Sequence, residues 1–304
     1  MTTSTTSTTS HADYHPTEAE RPIWYKRKSV RKRISLWSNT IIILLGALIL
    51  MVPLAWMLST SLKANGEVFH LPISWIPRKI LFQNYPEAIT YVPFPTYYRN
   101  SLFIASLSVI GAVLSSSLVA FAFARLRGPG KNILFIILLS TLMLPSEVTL
   151  VPIYLIFRNL GWLDSYRPLI VPYWFGGAFY IFLLRQFFMT IPTELDDAAK
   201  IDGATFWDIY WRIMVPLSKP ALATVAIFSF YDSWNDFRSP LIYLNSDNLL
   251  TLPVGLSSYM STLGNTHWNY LMAASLLTLI PPLLIFFFTQ RFFIQGAILT
   301  GLKG

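Results

Sequence analysis

The chain has no cysteine, which excludes disulfides, thiolate metal sites and cysteine nucleophiles. Charge is scarce too. Asp, Glu, Lys and Arg make up 12% of the 304 residues, against roughly 25% in an ordinary globular domain. The few charges are clustered: none falls between Arg33 and Lys63, between Arg99 and Arg125, or between Asp247 and Arg291. Each of these stretches exceeds the about 20 apolar residues that cross a bilayer. A soluble enzyme, a nucleic-acid-binding domain and a disordered protein are excluded. His11, His15, His70 and His267 are scattered without metal-ligand spacing, so no metal site is expected. No phosphate-cradling G-x-x-x-x-G-K-[ST] occurs, since Gly128-Pro129-Gly130-Lys131-Asn132 lacks both the spacing and the hydroxyl. Nor can a Ser-His-Asp set or paired catalytic carboxylates be assembled. No catalytic residue, no cofactor and no ATP site of its own is expected.

What the chain does have is apolar and aromatic mass, 54% and 15% of the residues. We read an all-α integral membrane protein with six transmembrane helices. They span roughly Ser35–Ser59, Asn100–Ala124, Ile133–Phe157, Pro168–Thr190, Pro220–Leu241 and Tyr270–Phe292. Pro53, Pro145, Pro152 and the pair Pro281–Pro282 interrupt several of them. Within a membrane bundle such breaks are tolerated, because neighbouring helices re-satisfy the freed carbonyls. They predict kinked helices around a cavity, or simply irregular packing.

Seven of the 23 basic residues lie between Arg21 and Arg33, directly before the first apolar run. The run is too long for a signal peptide and no A-x-A cleavage pattern follows it, so it reads as an uncleaved span. With the N-terminus inside, sixteen basic residues fall on the cytoplasmic side and seven outside. That bias places both termini in the cytoplasm. The net charge of +8 then records orientation and not nucleic-acid binding. The resulting organisation is a disordered basic tail over 1–34, a first helix and long outer loop over 35–99, a transmembrane core over 100–292, and a short tail over 293–304. The outer loop, rich in Pro, Trp and Tyr, is expected to lie along the membrane surface.

Between the fourth and fifth spans lies a polar cytoplasmic segment, residues 191–220, whose local signals predict two short helices. Thr193 with Asp196 three residues on has the form of a capping box. Gly203 suits the left-handed position after a first helix. Thr205 and Asp208 repeat the start signal for a second helix, predicted to end before Pro216. Leu195, Ala198, Ala199 and Asp202 share one face of the first helix. That face is small and nearly flat, and it fits either a docked protein or packing on its own bundle.

This segment resembles the EAA loop of membrane subunits from binding-protein-dependent ABC importers, with pattern E-A-A-x3-G-x9-I-x-L-P. Asp197-Ala198-Ala199 stands for Glu-Ala-Ala, Gly203 follows after three residues, and Ile213, Val215 and Pro216 complete the spacing. Asp for Glu and Val for Leu are the two departures. Further segments resemble the carbohydrate-uptake branch, in particular the MalG-like subunit of maltose-type systems. They are Arg99-Asn100-Ser101-Leu102, the stretch from Pro145 to Pro152, Trp234-Asn235-Asp236-Phe237, and Gln290-Arg291-Phe292-Phe293 with Gly296 and Gly301. The resemblance covers about residues 35–304.

The resemblance implies the type I ABC importer permease fold in a prokaryotic cell membrane. It also implies a separate ATP-binding cassette ATPase dimer that holds ATP and Mg, a second MalF-like permease subunit, and an extracellular solute-binding protein delivering a sugar or oligosaccharide. Glu194, Asp197, Ala198, Ala199, Asp202, Gly203, Ile213 and Pro216 would form the ATPase-coupling surface. Gln295, Gly296 and Lys303 would reach the ATPase from the C-terminal tail. A glycerol-phosphate-type solute is the alternative cargo, and an ATP-independent carrier the alternative mechanism.

Polar residues inside spans are costly and so carry functional weight. Trp234, Asn235 and Asp236 have the aromatic, amide and carboxylate chemistry that holds a sugar. They also fit an interhelical polar network or a contact with the binding protein. Glu147, beside Pro145, is either cavity-lining or a partner for a freed backbone group. Arg185, near the cytoplasmic end of the fourth span, is expected to snorkel.

Overall fold

The computed structural model describes residues 28–260 and 266–301. Its elements are helices, with no strand among the described residues. The first helix, α1 (Lys28–Ser61), begins inside the basic block, where Lys and Arg extend the apolar helix without a propensity cost. Helix therefore already occupies part of the stretch expected as a disordered tail, and residues 1–27 lie outside the described residues. The chain divides after Trp56 into two units. The second unit continues with α2 (Asn84–Tyr91), α3 (Phe94–Arg125), α4 (Lys131–Ser140), α5 (Ser146–Asn159), α6 (Arg167–Ile170), α7 (Ala178–Thr190) and α8 (Glu194–Ile201). Then come α9 (Phe206–Asp208), α10 (Val215–Leu217), α11 (Lys219–Trp234), α12 (Arg238–Tyr243), α13 (Leu252–Ser257), α14 (Trp268–Thr278) and α15 (Ile280–Gly301).

The second unit is organised around α3, which packs along α7 and α11. Small residues allow the close approach. Ala105, Ser108, Gly111, Ala112, Ser116 and Ala120 on α3 are all buried. The serines also satisfy irregular backbone opposite them. Residues 167–177 run as one α turn, a 3-10 stretch over Val171–Phe175 and a break at Gly176 with φ 82°. Ser108 Oγ donates to Leu169 O at 3.3 Å and Ser115 Oγ to Tyr173 O at 3.1 Å, while Ser116 Oγ accepts from Gly177 N at 3.3 Å. In lipid these peptide groups would otherwise be orphaned.

Four helical stretches are long and apolar enough to cross a membrane: Ser35–Ser61, Phe94–Arg125, Arg167–Thr190 and Trp268–Gln290. The predicted third and fifth spans are not single rods. Lys131–Met143 and Ser146–Asn159 meet at 101°, because Leu144 and Pro145 leave the helical conformation and Pro145 has no N–H to continue the ladder. Phe206–Leu217, in the polar segment that precedes the predicted fifth span, meets Lys219–Trp234 at 79°. The fifth helix also stops at Trp234, short of the expected Leu241. Asp236 Oδ1 accepts from Ser239 N at 3.0 Å and starts the separate α12 instead. Pro53 and Pro152 sit inside continuous helices, and Pro281–Pro282 fall in the first turn of α15, where the missing N–H groups cost nothing.

Candidate functional site

The segment 191–220 folds as two helical pieces around Gly203. Helix α8 ends in a Schellman arrangement: Ala204 N donates to Ala199 O at 2.9 Å and Gly203 N to Lys200 O at 3.0 Å. This requires the left-handed φ of 80° at Gly203. The start expected at Thr193 differs. Thr193 sits in the right-handed region and makes no side-chain cap; the Asp196 N–H goes to Thr193 O at 3.0 Å, and the Asp196 side chain points to Arg125. The second start is as expected. Asp208 N donates to Thr205 Oγ1 at 3.2 Å, and Thr205 N donates back to Asp208 Oδ2 at 3.0 Å, a reciprocal capping box. The Thr205 hydroxyl and backbone N–H, helped by Arg212 at 3.4 Å, hold the Asp208 carboxyl below its usual range.

The second piece does not end before Pro216. Ile209–Met214 widens into a π-helix, and α10 carries the helix through Pro216 to Leu217. A π turn pairs each N–H one residue further back, and Val215 N indeed donates to Tyr210 O. The wider turn accommodates the proline ring, which would clash with the carbonyl four residues back in a regular α-helix.

The loop is fastened to α3 by contacts that the motif does not contain. Arg125, the last residue of α3, approaches Asp196 Oδ2 with its Nε at 3.0 Å, and both side chains are only 7% exposed. Its NH2 group donates to Ile191 O at 2.6 Å. The Nε–H is not aimed at the carboxylate, and Asp196 Oδ1 has no hydrogen-bond partner among the described residues. Burial therefore outweighs the attraction of Arg125 and pushes the Asp196 carboxyl above its usual range. Deeper in, the Tyr210 and Ser117 hydroxyls lie 2.6 Å apart, and Tyr210 packs on Phe121 with ring centroids at 5.4 Å. Ile209, Tyr210 and Met214 join one apolar core with Leu184 and Phe188 of α7 and Val225 of α11.

The other side of the loop is open. Ala199, Asp202, Gly203, Ala204, Asp208, Arg212 and Ile213 line a shallow hollow of about 310 Å³. Large apolar side chains stand exposed around the loop, notably Leu195, Ile201, Phe206, Trp207 and Trp211. Exposed apolar clusters beside a polar hollow mark a surface for another protein. The structure thus brings Ala199, Asp202, Gly203 and Ile213 together at the hollow. Glu194, Asp197 and Ala198 are exposed on α8, with Asp197 bridged to Lys200 at 3.0 Å, and Pro216 is exposed on α10.

The other predicted residues are dispersed. Trp234 is 2% exposed, stacked on Phe230 at 5.4 Å and edge-on to Tyr98, so its ring belongs to the core and faces no cavity. It lies one helical turn beyond Phe230 on the buried stripe of α11, which the polar run around it disguised. Asn235 is exposed and its amide donates to Tyr231 O at 2.9 Å. Asp236 is half-buried on a cavity of about 370 Å³ shared with Tyr173, Ser239 and Tyr243. Glu147 is ion-paired with Arg238 at 3.0 Å, not with a freed backbone group. Asp232, unassigned from sequence, is exposed on α11 and accepts a short hydrogen bond from Tyr180. Arg185 does not snorkel. Its guanidinium lies 4.1 Å from the Phe135 ring centroid and Nε donates to Phe123 O at 3.3 Å, which satisfies it inside the bundle. Gln295 and Gly296 fall within the backbone of α15, while their side chains and Lys303 lie outside the described residues.

Residues 112–298 match the family model for the binding-protein-dependent transport system inner membrane component. The chain belongs to this family. The match begins in α3, at the helix that holds the loop, and includes the whole segment 191–220. Within the family, the chain is 36% identical over 265 residues to the sn-glycerol-3-phosphate transport system permease protein UgpE of Yersinia pestis bv. Antiqua. That alignment spans 85% of this chain and 94% of the relative. It is 34% identical over 271 residues to the arabinooligosaccharides transport system permease protein AraQ of Halalkalibacterium halodurans, spanning 88% and 96%. The fold is that of a chain in the crystal structure of a bacterial ABC transporter for the acidic polysaccharide alginate. There the TM-score is 0.76 at 24% identity, over 89% of this chain and 99% of the other. The protein is a multi-helix membrane transport subunit of an ABC importer, and the type I permease fold expected from sequence is the one observed.

Proposed function

We propose that the chain is the permease subunit of an ATP-driven importer for a sugar or oligosaccharide. It crosses the membrane six times with both termini in the cytoplasm, and the segment 191–220 docks on a separate ATPase dimer that holds ATP and Mg. The observation that carries this reading is the two-sidedness of the segment. One side is clamped to α3 by a buried ion pair, and the other presents a hollow rimmed by exposed apolar side chains. A movement imposed on the outer side is thereby delivered to the central helix of the bundle. A second permease, MalF-like in the maltose-type arrangement, completes the pathway, and alternating access follows as the two subunits rock. An extracellular binding protein delivers the solute; the alginate transporter with the same fold forms a complex with its alginate pentasaccharide-bound periplasmic protein.

A glycerol phosphate is the second reading, favoured by the name of the 36% identical relative. Charge favours the carbohydrate. The stretch Asp232–Arg238 offers two carboxylates against one guanidinium, and that guanidinium is already paired with Glu147. A phosphate anion would meet repulsion there, whereas sugar hydroxyls donate to carboxylates readily. Mass spectrometry of the ligand that co-purifies with the binding protein decides between the two cargoes. Coupling is tested by placing a cysteine at Ala198 in this cysteine-free chain. Disulfide trapping to a cysteine-bearing ATPase should abolish transport, and absence of any cross-link to the ATPase removes the docking assignment.

A further inference from the structure

The outer segment 63–83 carries a surface that neither the ATPase nor the solute pathway accounts for. It is almost free of regular structure, yet it is fixed from within. Glu67 Oε1 accepts from Arg78 N at 2.9 Å, Lys63 Nζ donates to Ser74 O at 2.5 Å, and Leu81 N donates to Leu62 O at 3.0 Å. The Ser59 hydroxyl donates to Trp75 O, and Asn84 donates to both Ser61 O and Lys63 O at 2.8 Å. Lys63 and Val68 are buried beneath. These hydrogen bonds point inward, and large apolar side chains point out. Phe69, Leu71, Ile73, Trp75, Ile76 and Phe82 are between 56% and 79% exposed.

Arg78 and Lys79 are exposed in the same segment. The single carboxylate within 63–83, Glu67, is spent on the Arg78 backbone N–H and on Ser74, so it does not answer the two cations. The segment follows directly on the membrane-crossing helix that ends at Ser61. Outward aromatic and aliphatic side chains, inward polar atoms and unanswered positive charge together describe a body half-immersed at headgroup level.

We propose that residues 69–82 form a membrane-interface strap. Leu71, Ile73 and Ile76 enter the acyl boundary of the outer leaflet, and Arg78 and Lys79 bind the phosphates of anionic lipid headgroups. The observation that favours lipid over a protein partner is the run of exposed aliphatic side chains next to two exposed cations, the combination that an anionic headgroup layer answers.

The absence of native cysteine makes the test clean. Ile76→Cys and Leu71→Cys, each spin-labelled in the full chain within its reconstituted transporter, are measured in phosphatidylethanolamine–phosphatidylglycerol vesicles. The readout is collision with oxygen and with a water-soluble nickel chelate. A lipid-facing label is open to oxygen, closed to nickel, and sits about 5–10 Å below the headgroups. Replacing phosphatidylglycerol by phosphatidylcholine should raise both labels towards water. The double variant Arg78→Gln/Lys79→Gln should be indifferent to that exchange. Free access of nickel overturns the proposal. So does shielding from both reagents, the signature of a protein contact, whether it is constant or appears only when the binding protein is added.

Discussion

The ion pair Arg125–Asp196 is where the mechanical reading is most exposed to test. Both side chains are 7% exposed, so neither ion is hydrated while α8 is docked. Removing one partner of a buried pair costs about 3–5 kcal/mol, and replacing both by apolar residues is often neutral. The two single variants should not be equal. Asp196→Leu strands a guanidinium, which cannot lose its proton, and should cost about 3 kcal/mol. That raises the undocked population of α8 roughly a hundredfold. Arg125→Met strands a carboxyl that burial already disposes to keep its proton. It should cost about 1–2 kcal/mol, since the group escapes by neutralising. The double variant should recover most of the loss.

The assay is hydrogen exchange at Glu194–Ile201 in the reconstituted transporter, together with solute moved per ATP hydrolysed. Asp196→Leu should speed exchange and lower that ratio while hydrolysis persists. The pH dependence follows from the same group. Its pKa is raised on docking, so its stabilisation is fully present below the ordinary aspartate range. That stabilisation fades as pH rises through the raised value. Protection of α8 should therefore weaken with rising pH in the parent and lose this dependence in Asp196→Asn. The reasoning is refuted if Asp196→Leu leaves exchange unchanged, or if the double variant is as damaged as the worse single one.

Gly203 has φ 80° and open space where a Cβ would stand. Gly203→Ala should therefore cost only backbone strain, about 1–2 kcal/mol, whereas Gly203→Asn should fold nearly as well as the parent. Loss of transport with retained ATP hydrolysis in Gly203→Asn, read in proteoliposomes, would show that the hollow is occupied by a partner. Thr205→Ala should destabilise the second helical piece by about 1 kcal/mol. The Asp208 carboxyl that faces it is held low, so the contribution of this cap is present above the ordinary aspartate range and disappears as pH falls through its depressed value. Amide exchange at Asp208 and Ile209 reads both effects. At Gly255 a Cβ would overlap the Tyr97 ring, which is 4% exposed. Gly255→Ala should cost about 1–3 kcal/mol in a thermal unfolding scan, and a smaller second side chain, Tyr97→Leu, should relieve it.

The spans, the loop and its family were legible in the sequence because they depend on local quantities. Hydropathy over about 20 residues identifies a crossing, and Gly203 and the Thr205–Asp208 pair announce their turns wherever the chain lies. The errors have a common origin in groups whose partners are distant along the chain. Asp196 was assigned to a cap three residues back, but Arg125, seventy-one positions earlier, took it. From sequence Glu147 suits either a cavity or a freed backbone group, and it is Arg238, ninety-one positions later, that pairs with it. Trp234 stands among polar residues, which suits a sugar platform, a polar network or an outer contact alike, whereas its ring continues the buried stripe of Phe230.

What the sequence alone determined is that this protein lives in a membrane, in helices, and presents one capped polar loop between two of them. Charge scarcity and helical periodicity are properties of a chain whatever it touches. Only the tertiary structure decided which side of that loop is tied down and which is free, because a buried ion pair depends on two helix ends meeting where water is excluded. The same holds for residues 69–82. The apolar residues there are visible in the sequence, but only the inward hydrogen bonds of Glu67, Lys63 and Asn84 turn them outward.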